Sequence, residues 1–347
     1  MKKALLIPLA ALAIAGCSSL EKALLNSNLG KDALYAVDRY MTNYGKSAVI
    51  EDYELAEKKD ESPQKPILFF IHGWASSLEE WAYEEKGSSR LDIMNEVFDN
   101  RVIAADYSSC KGIEDIFSEL DSSFTEFMDE YAKNNEGDKP KLIIAGQSMG
   151  TQLARLFSRR HPEYFKKVGL IAGVSQGFNL GPLPVKKMIP KYISKIAKKD
   201  LAPEEYQSII DLMPKSDFFK ELNTPTNYLD IEYNFYVFSS KKDSPFIKGE
   251  DDRITSVSSA YPLELIETNR FEDVKFGDVI IYEGAVDHSL YNQDILREIL
   301  QFLKSDKPQY KKAPSLKEAK HITVPEFTQQ EAEKRERERQ FKKGMKY

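Results

Sequence analysis

The chain is short of the residues that several large function classes need. It has 2 cysteines and 4 histidines in 347 residues, which excludes a disulfide framework, a cysteine-rich zinc site and a histidine cluster. It has no basic excess: 49 Lys and Arg stand against 55 Asp and Glu, a formal net charge of −6. A nucleic-acid binder normally carries the opposite balance, so no nucleic-acid partner is expected. It also has no apolar run long enough to cross a bilayer as a stable helix. What it does have is 41% hydrophobic residues, 11% of all residues being aromatic. That is enough to bury a sizeable core and to exclude global disorder.

Its first seventeen residues are organised as an export signal. Lys2 and Lys3 are followed by an apolar stretch that ends in Ile14-Ala15-Gly16-Cys17. Positive n-region, short h-region and small residues before a cysteine resemble the lipobox of bacterial lipoproteins. The resemblance implies a signal peptide over residues 1–16 and a diacylglyceryl group on Cys17, so that the protein is anchored to a membrane by lipid and does not span it. Ser18 in place of an Asp favours the outer membrane if the source is Gram-negative. Cys110 is then left single, as a buried thiol. The opening balance divides accordingly. Without Lys2 and Lys3 the mature charge is −8, about −14 in the body and +6 in residues 304–347, where 13 basic residues face 7 acidic ones.

Residues 17–65 read as a lipidated tether with an amphipathic helix over 30–45, where Ala33, Val37, Tyr40, Met41 and Tyr44 share a face. Six short apolar runs follow at 66–71, 101–105, 141–145, 168–172, 234–238 and 279–282. Bounded by glycine or polar residues, they read as strands buried on both faces. Helical periodicity fills the gaps, most clearly over 113–131. Strands alternating with helices give an α/β fold class, a mostly parallel sheet covered by helices on both faces, whose ligands bind at the carboxyl ends of the strands. Residues 66–303 form this domain. The charged stretch 304–347 reads as a solvated, partly helical tail.

Gly146-Gln147-Ser148-Met149-Gly150 comes immediately after the third strand and before a helical run. A lone G-x-S-x-G arises by chance on the order of once in ten chains of this length. Between a strand and a helix it gains weight, because that geometry forces the serine into a strained turn that exposes its hydroxyl. On these residues the chain resembles the bacterial lipases and related serine esterases of the α/β-hydrolase superfamily. The likeness spans 66–303, and it implies the α/β-hydrolase fold with a helical cap insertion at about 177–231. It further implies that Ser148 is the nucleophile, and that backbone amides of Met149 and of Trp74, in His72-Gly73-Trp74, form the oxyanion hole. His72 itself is then structural.

The superfamily order of nucleophile, acid and histidine puts the base at His288, after the last strand. It puts the acid at Asp252, with Asp251 and Asp243 as alternates. Arg253 departs from the small residue usual at that turn. The stretch Pro214-Lys215-Ser216-Asp217-Phe218-Phe219 also resembles one found before the strand that leads to the acid. In the cap, Val185, Met188, Ile189, Tyr192, Ile193 and Ile196 repeat at helical spacing. Where some lipases bind calcium two positions past the histidine, this chain has Leu290. No metal and no cofactor are expected, and the substrate is an acyl ester or lipid handled by a monomer. A thioesterase or acyltransferase would use the same triad. A non-catalytic surface lipoprotein with a hydrolase-like scaffold is the alternative from another class.

Overall fold

In a computed structural model of the chain, residues 46–52, 65–83, 88–177, 206–224, 234–241, 276–283, 293–305 and 319–322 are described. The strands are β1 (Val49–Asp52), β2 (Ile67–Ile71), β3 (Val102–Asp106), β4 (Leu142–Gln147), β5 (Phe165–Ile171), β6 (Asn234–Lys241), β7 (Phe276–Glu283) and β8 (Ala319–Ile322). They form one sheet in the order β1-β3-β2-β4-β5-β6-β7-β8. The six inner strands run parallel, while β1 and β8 pair antiparallel at the edges. The helices are α1 (Leu78–Ala82), α2 (Arg90–Val97), α3 (Ile113–Asn134), α4 (Gly150–Arg160), α5 (Gln207–Asp211), α6 (Asp217–Leu222) and α7 (Gln293–Lys304).

Each expected inner strand is present, and their apolar character follows from burial on two sides. In β2 every residue is buried. Ile67, Phe69 and Ile71 point into a core built with α3, α4 and α6, whereas Leu68 and Phe70 point into a second core built with α1, α2 and α7. Successive strand side chains face opposite ways, so a strand between two helical layers must be apolar at every position. Mostly parallel strands in this order, with helices on both faces, form an α/β-hydrolase fold.

Two strands were not expected. β1 lies in the stretch 17–65 read as a tether with one helix, and β8 lies in the stretch read as a solvated tail. Residues 319–322 are sheet edge, with Val279 opposite Ile322 and Tyr282 opposite Ala319. β5 begins three residues before the apolar run because Lys167 is buried within it. Its Nζ donates to the carbonyl of Leu303 at 2.9 Å and also to that of Ser305. It thereby satisfies carbonyls left open at the end of α7.

The far end of the 177–231 insertion belongs to the body and not to a cap. Leu212, Phe218, Phe219 and Leu222 are buried in the first core. Asp211 accepts from the Ile113 N–H at 2.9 Å and so caps α3 from 98 residues away, at a helix start where Gly112 offers no side chain. Burial, followed by the nearby Asp115 charge, raises the Asp211 carboxyl above its ordinary value despite this bond. The signal peptide, Cys17, the helix over 30–45, the cap helix with Val185 to Ile196, and Asp243, Asp251, Asp252 and His288 lie outside the described residues. Among the described residues no helix is long and apolar enough to cross a membrane.

Candidate active site

The site is built where β4 ends. All six β4 residues are buried, and α4 starts at Gly150, leaving two residues to turn a strand into a helix. Ser148 makes the turn at φ +53°, a left-handed conformation that costs a non-glycine residue about 1–2 kcal/mol. The strain is held by bonds on both sides. The Ser148 N–H donates to the Ile171 carbonyl at 2.9 Å, which prolongs the β4–β5 ladder. The Ser148 carbonyl accepts from the Thr151 N–H at 3.1 Å and from the Thr151 hydroxyl at 2.6 Å.

The flanking glycines are required by close approach. A Cβ on Gly146 would strike the Gly150 carbonyl, and one on Gly150 would lie 2.3 Å from the Ile71 carbonyl oxygen. The start of α4 therefore sits directly on the end of β2, and any side chain would push it off. Met149 fills the N-cap position with a fully buried side chain. Its N–H stands at a helix N-terminus whose partial positive charge favours an anion.

The loop after β2 arrives opposite this elbow. A Cβ on Gly73 would come 3.0 Å from that of Ser148, so the loop and Ser148 are in touching distance. His72 is completely buried. Its Nδ1 lies 2.9 Å from the Gly73 carbonyl and its Nε2 3.2 Å from Asp106 Oδ1. Tyr107 stacks on the imidazole at a centroid distance of 4.1 Å, and its hydroxyl donates to the His72 carbonyl. Asp106 Oδ1 also accepts from the Leu78 N–H at 3.1 Å. Further along, the Ala75 N–H donates to Ser109 Oγ at 2.9 Å, with Ala75 itself left-handed at φ +55°. Trp74, between these two anchors, is half-buried and packs on the first core.

Charges around the loop are set by burial and by these bonds. Burial pushes the Asp106 carboxyl up, but the bond and charge of His72 and the Leu78 N–H outweigh it, so it sits below its ordinary value. Burial, and then the Asp106 charge, holds the Tyr107 phenol well above its ordinary value. The phenol stays protonated and keeps donating to the His72 carbonyl.

Of the residues singled out in the sequence, Ser148, Met149, Trp74 and His72 come together here. His72 has the structural position expected of it. The parts that sequence reasoning missed are Asp106, Tyr107 and Ser109, which fix the loop from the end of β3. A signal existed: Asp106-Tyr107 ends an otherwise apolar strand at the edge where ligands bind, and that position is where polar residues acquire site roles. Among the described residues no group of three or more His, Cys, Asp or Glu side chains could hold a metal ion.

No protein-family model matches the chain, and no curated protein does. Solved structures do resemble it. The mature form of the Bacillus licheniformis lipase BlEst2 is 18% identical with a TM-score of 0.46, covering 72% of this chain and 92% of the lipase. Monoacylglycerol lipase of Paleococcus ferrophilus is 12% identical with a TM-score of 0.43, over 74% of this chain and 97% of that one. Phospholipase PlaB of Legionella pneumophila is 14% identical with a TM-score of 0.43, and the chain spans 46% of its length. At these levels the likeness carries no argument about chemistry, which rests on the residues above.

Proposed function

We propose that the protein is a serine hydrolase that cleaves carboxylic esters of acyl or lipid substrates through an acyl-enzyme. The observation that carries this reading is Ser148 at φ +53° on a two-residue strand-to-helix turn. The turn is packed against a loop that three side chains hold in place. Nothing in the stability of the fold calls for a strained serine there; a nucleophile that must stand clear of the sheet edge does.

Ser148 Oγ attacks the substrate carbonyl carbon while His288 takes its proton. The resulting oxyanion is held by the amides of Met149 and Trp74, donors already oriented before the reaction. Collapse expels the alcohol, which leaves with the proton from His288. Water then attacks the acyl-enzyme by the same steps and releases the acid. Asp252, with Asp251 and Asp243 as alternates, orients the imidazole.

Chain geometry is compatible with these roles. β4, β5, β6 and β7 are parallel neighbours in which Ile280 stands level with Gln147, three strand spacings or about 14 Å away, and Glu283 lies three residues further along, roughly 17 Å from the β4 end. The five residues from Glu283 to His288 span up to about 17 Å, which suffices for the imidazole to meet Ser148. Asp243 and Asp252 follow the intervening strand β6.

The same reading takes Cys17 as a lipidated first mature residue that holds the enzyme on a membrane of the cell envelope. A Ser148→Ala variant assayed with short- and long-chain p-nitrophenyl esters tests the catalytic part. Activity equal to wild type in that variant would sink it. Metabolic labelling with a palmitate analogue tests the anchor, which requires label that Cys17→Ala removes.

A further inference from the structure

Arg155 is an unusual residue to find at full burial. It lies on α4, two turns from the elbow, with no exposed surface, although arginine is almost never fully buried unless it is paired. Its partners form a directed chain. Nη1 donates to Gln152 Oε1 at 3.3 Å. Gln152, also fully buried, passes its amide Nε2 to Thr151 Oγ1 at 2.8 Å, and the Thr151 hydroxyl donates to the Ser148 carbonyl at 2.6 Å. On the other side Nη2 donates to Asn223 Oδ1 at 2.7 Å and to the Leu222 carbonyl at 3.2 Å. Asn223 Nδ2 then donates to the Ser175 carbonyl at 3.1 Å.

The direction of donation follows from chemistry. A guanidinium has donors only, so both facing amides must turn their oxygens toward it and their NH2 groups away. Those NH2 groups reach, directly or through Thr151, two backbone carbonyls that matter. One belongs to the strained nucleophile. The other belongs to Ser175, at the point where the chain leaves for the 177–231 insertion; Leu222 and Asn223 belong to the far end of that stretch, which packs on the body. One buried cation thus polarises both arms and joins the nucleophile's backbone to Ser175, where the insertion departs, and to its body-packed far end at Leu222 and Asn223.

We propose that Arg155 is a positioning residue that couples the alignment of Ser148 to the anchoring of the insertion. This rests on Ser148 being the nucleophile. A purely structural arginine would stabilise the fold without affecting the acylation step. A coupling arginine makes a cut at either arm loosen the same carbonyl, so the effects of two cuts overlap.

Removing Arg155 itself risks the fold, so the two neutral ends are cut instead, in the full chain. Asn223→Ala, Gln152→Ala and the double variant are compared with wild type for saturating inactivation by a fluorophosphonate. The first-order inactivation constant and the half-saturating concentration are read separately, and melting curves confirm folding. Each single variant is expected to lower the first-order constant about tenfold without changing half-saturation, and the double variant is expected to lose about tenfold as well. Thr224→Ala, which removes only a bond to the Lys220 carbonyl, leaves the constant unchanged. A folded Asn223→Ala variant within twofold of wild type, or losses that multiply in the double variant, would overturn the coupling. Failure of wild type to be labelled would instead refute the hydrolase reading on which it rests.

Discussion

Replacing Gly150 by Ala probes the elbow with one added carbon. That Cβ would sit 2.3 Å from the Ile71 carbonyl oxygen and 2.4 Å from that of His72, where ordinary contact begins at 3.4 Å. Both obstacles are backbone atoms at the end of a fully buried strand, so neither can rotate aside. The start of α4 must retreat by roughly 1 Å. Two opposing terms act on stability. Alanine gains about 1 kcal/mol over glycine inside a helix, while overpacking of this kind costs about 1–3 kcal/mol. The net loss is expected near 1 kcal/mol, and the protein remains folded. Catalysis has no compensating term, because the same retreat carries the Met149 N–H and Ser148 Oγ with it. A displacement of about 1 Å costs on the order of a hundredfold in rate. The assay is hydrolysis of p-nitrophenyl butyrate beside thermal melting. A small fall in melting temperature with a hundredfold fall in kcat is the expected pair, and a kcat within threefold of wild type would refute the argument.

Three further outcomes follow from other parts of the structure. Asp106→Asn loosens the loop that carries Trp74 and is expected to lower kcat about tenfold with KM within twofold. Because the folded-state value of Asp106 lies below its unfolded one, its stabilisation is complete above about pH 4 and lost as pH falls through the folded value. Acid unfolding of the variant lacks that component. Glu298, whose two carboxylate oxygens are buried without a hydrogen-bond partner among the described residues, is raised by burial to about 7. Between that value and about 4.3 the folded state binds the extra proton, so stability from this group rises as pH falls from 7. Glu298→Gln should melt a few degrees higher than wild type at pH 8 and match it at pH 4.5; a lower melting point at pH 8 would contradict the assignment. Ser148→Gly should remove the left-handed strain and stabilise the fold by about 0.5–1 kcal/mol in urea unfolding while abolishing hydrolysis, and destabilisation would argue that the turn is unstrained.

The sheet was legible where burial is two-sided. In β2, β3 and β4 each position faces a helical layer, so the apolar runs stand out from their surroundings. β1 (VIED) and β8 (AKHI) are edges with one neighbour each, and edge strands do not need such runs. Lys167 hid the start of β5, because a lysine that satisfies helix-end carbonyls looks in sequence like any solvated charge. Arg155 and Gln152 are polar residues within a helical run, and only the fold shows that they are buried, with Arg155 bonded to the end of α6. The turn at Ser148 was legible because its geometry is local: five consecutive residues contain both close-packed glycines and the left-handed serine. Asp106, 34 residues from His72, and Asp211, 98 residues from the helix it caps, work through contacts that no local spacing encodes.

The central claim, that Ser148 is the nucleophile, is tested most directly by locating a covalent adduct. The full-length protein is treated with a fluorophosphonate, digested, and mapped by tandem mass spectrometry, with His288→Ala in parallel. One adduct per chain on Ser148, formed at least a hundredfold more slowly in the His288 variant, is the predicted result. Absence of an adduct, or an adduct on another residue, would contradict the account.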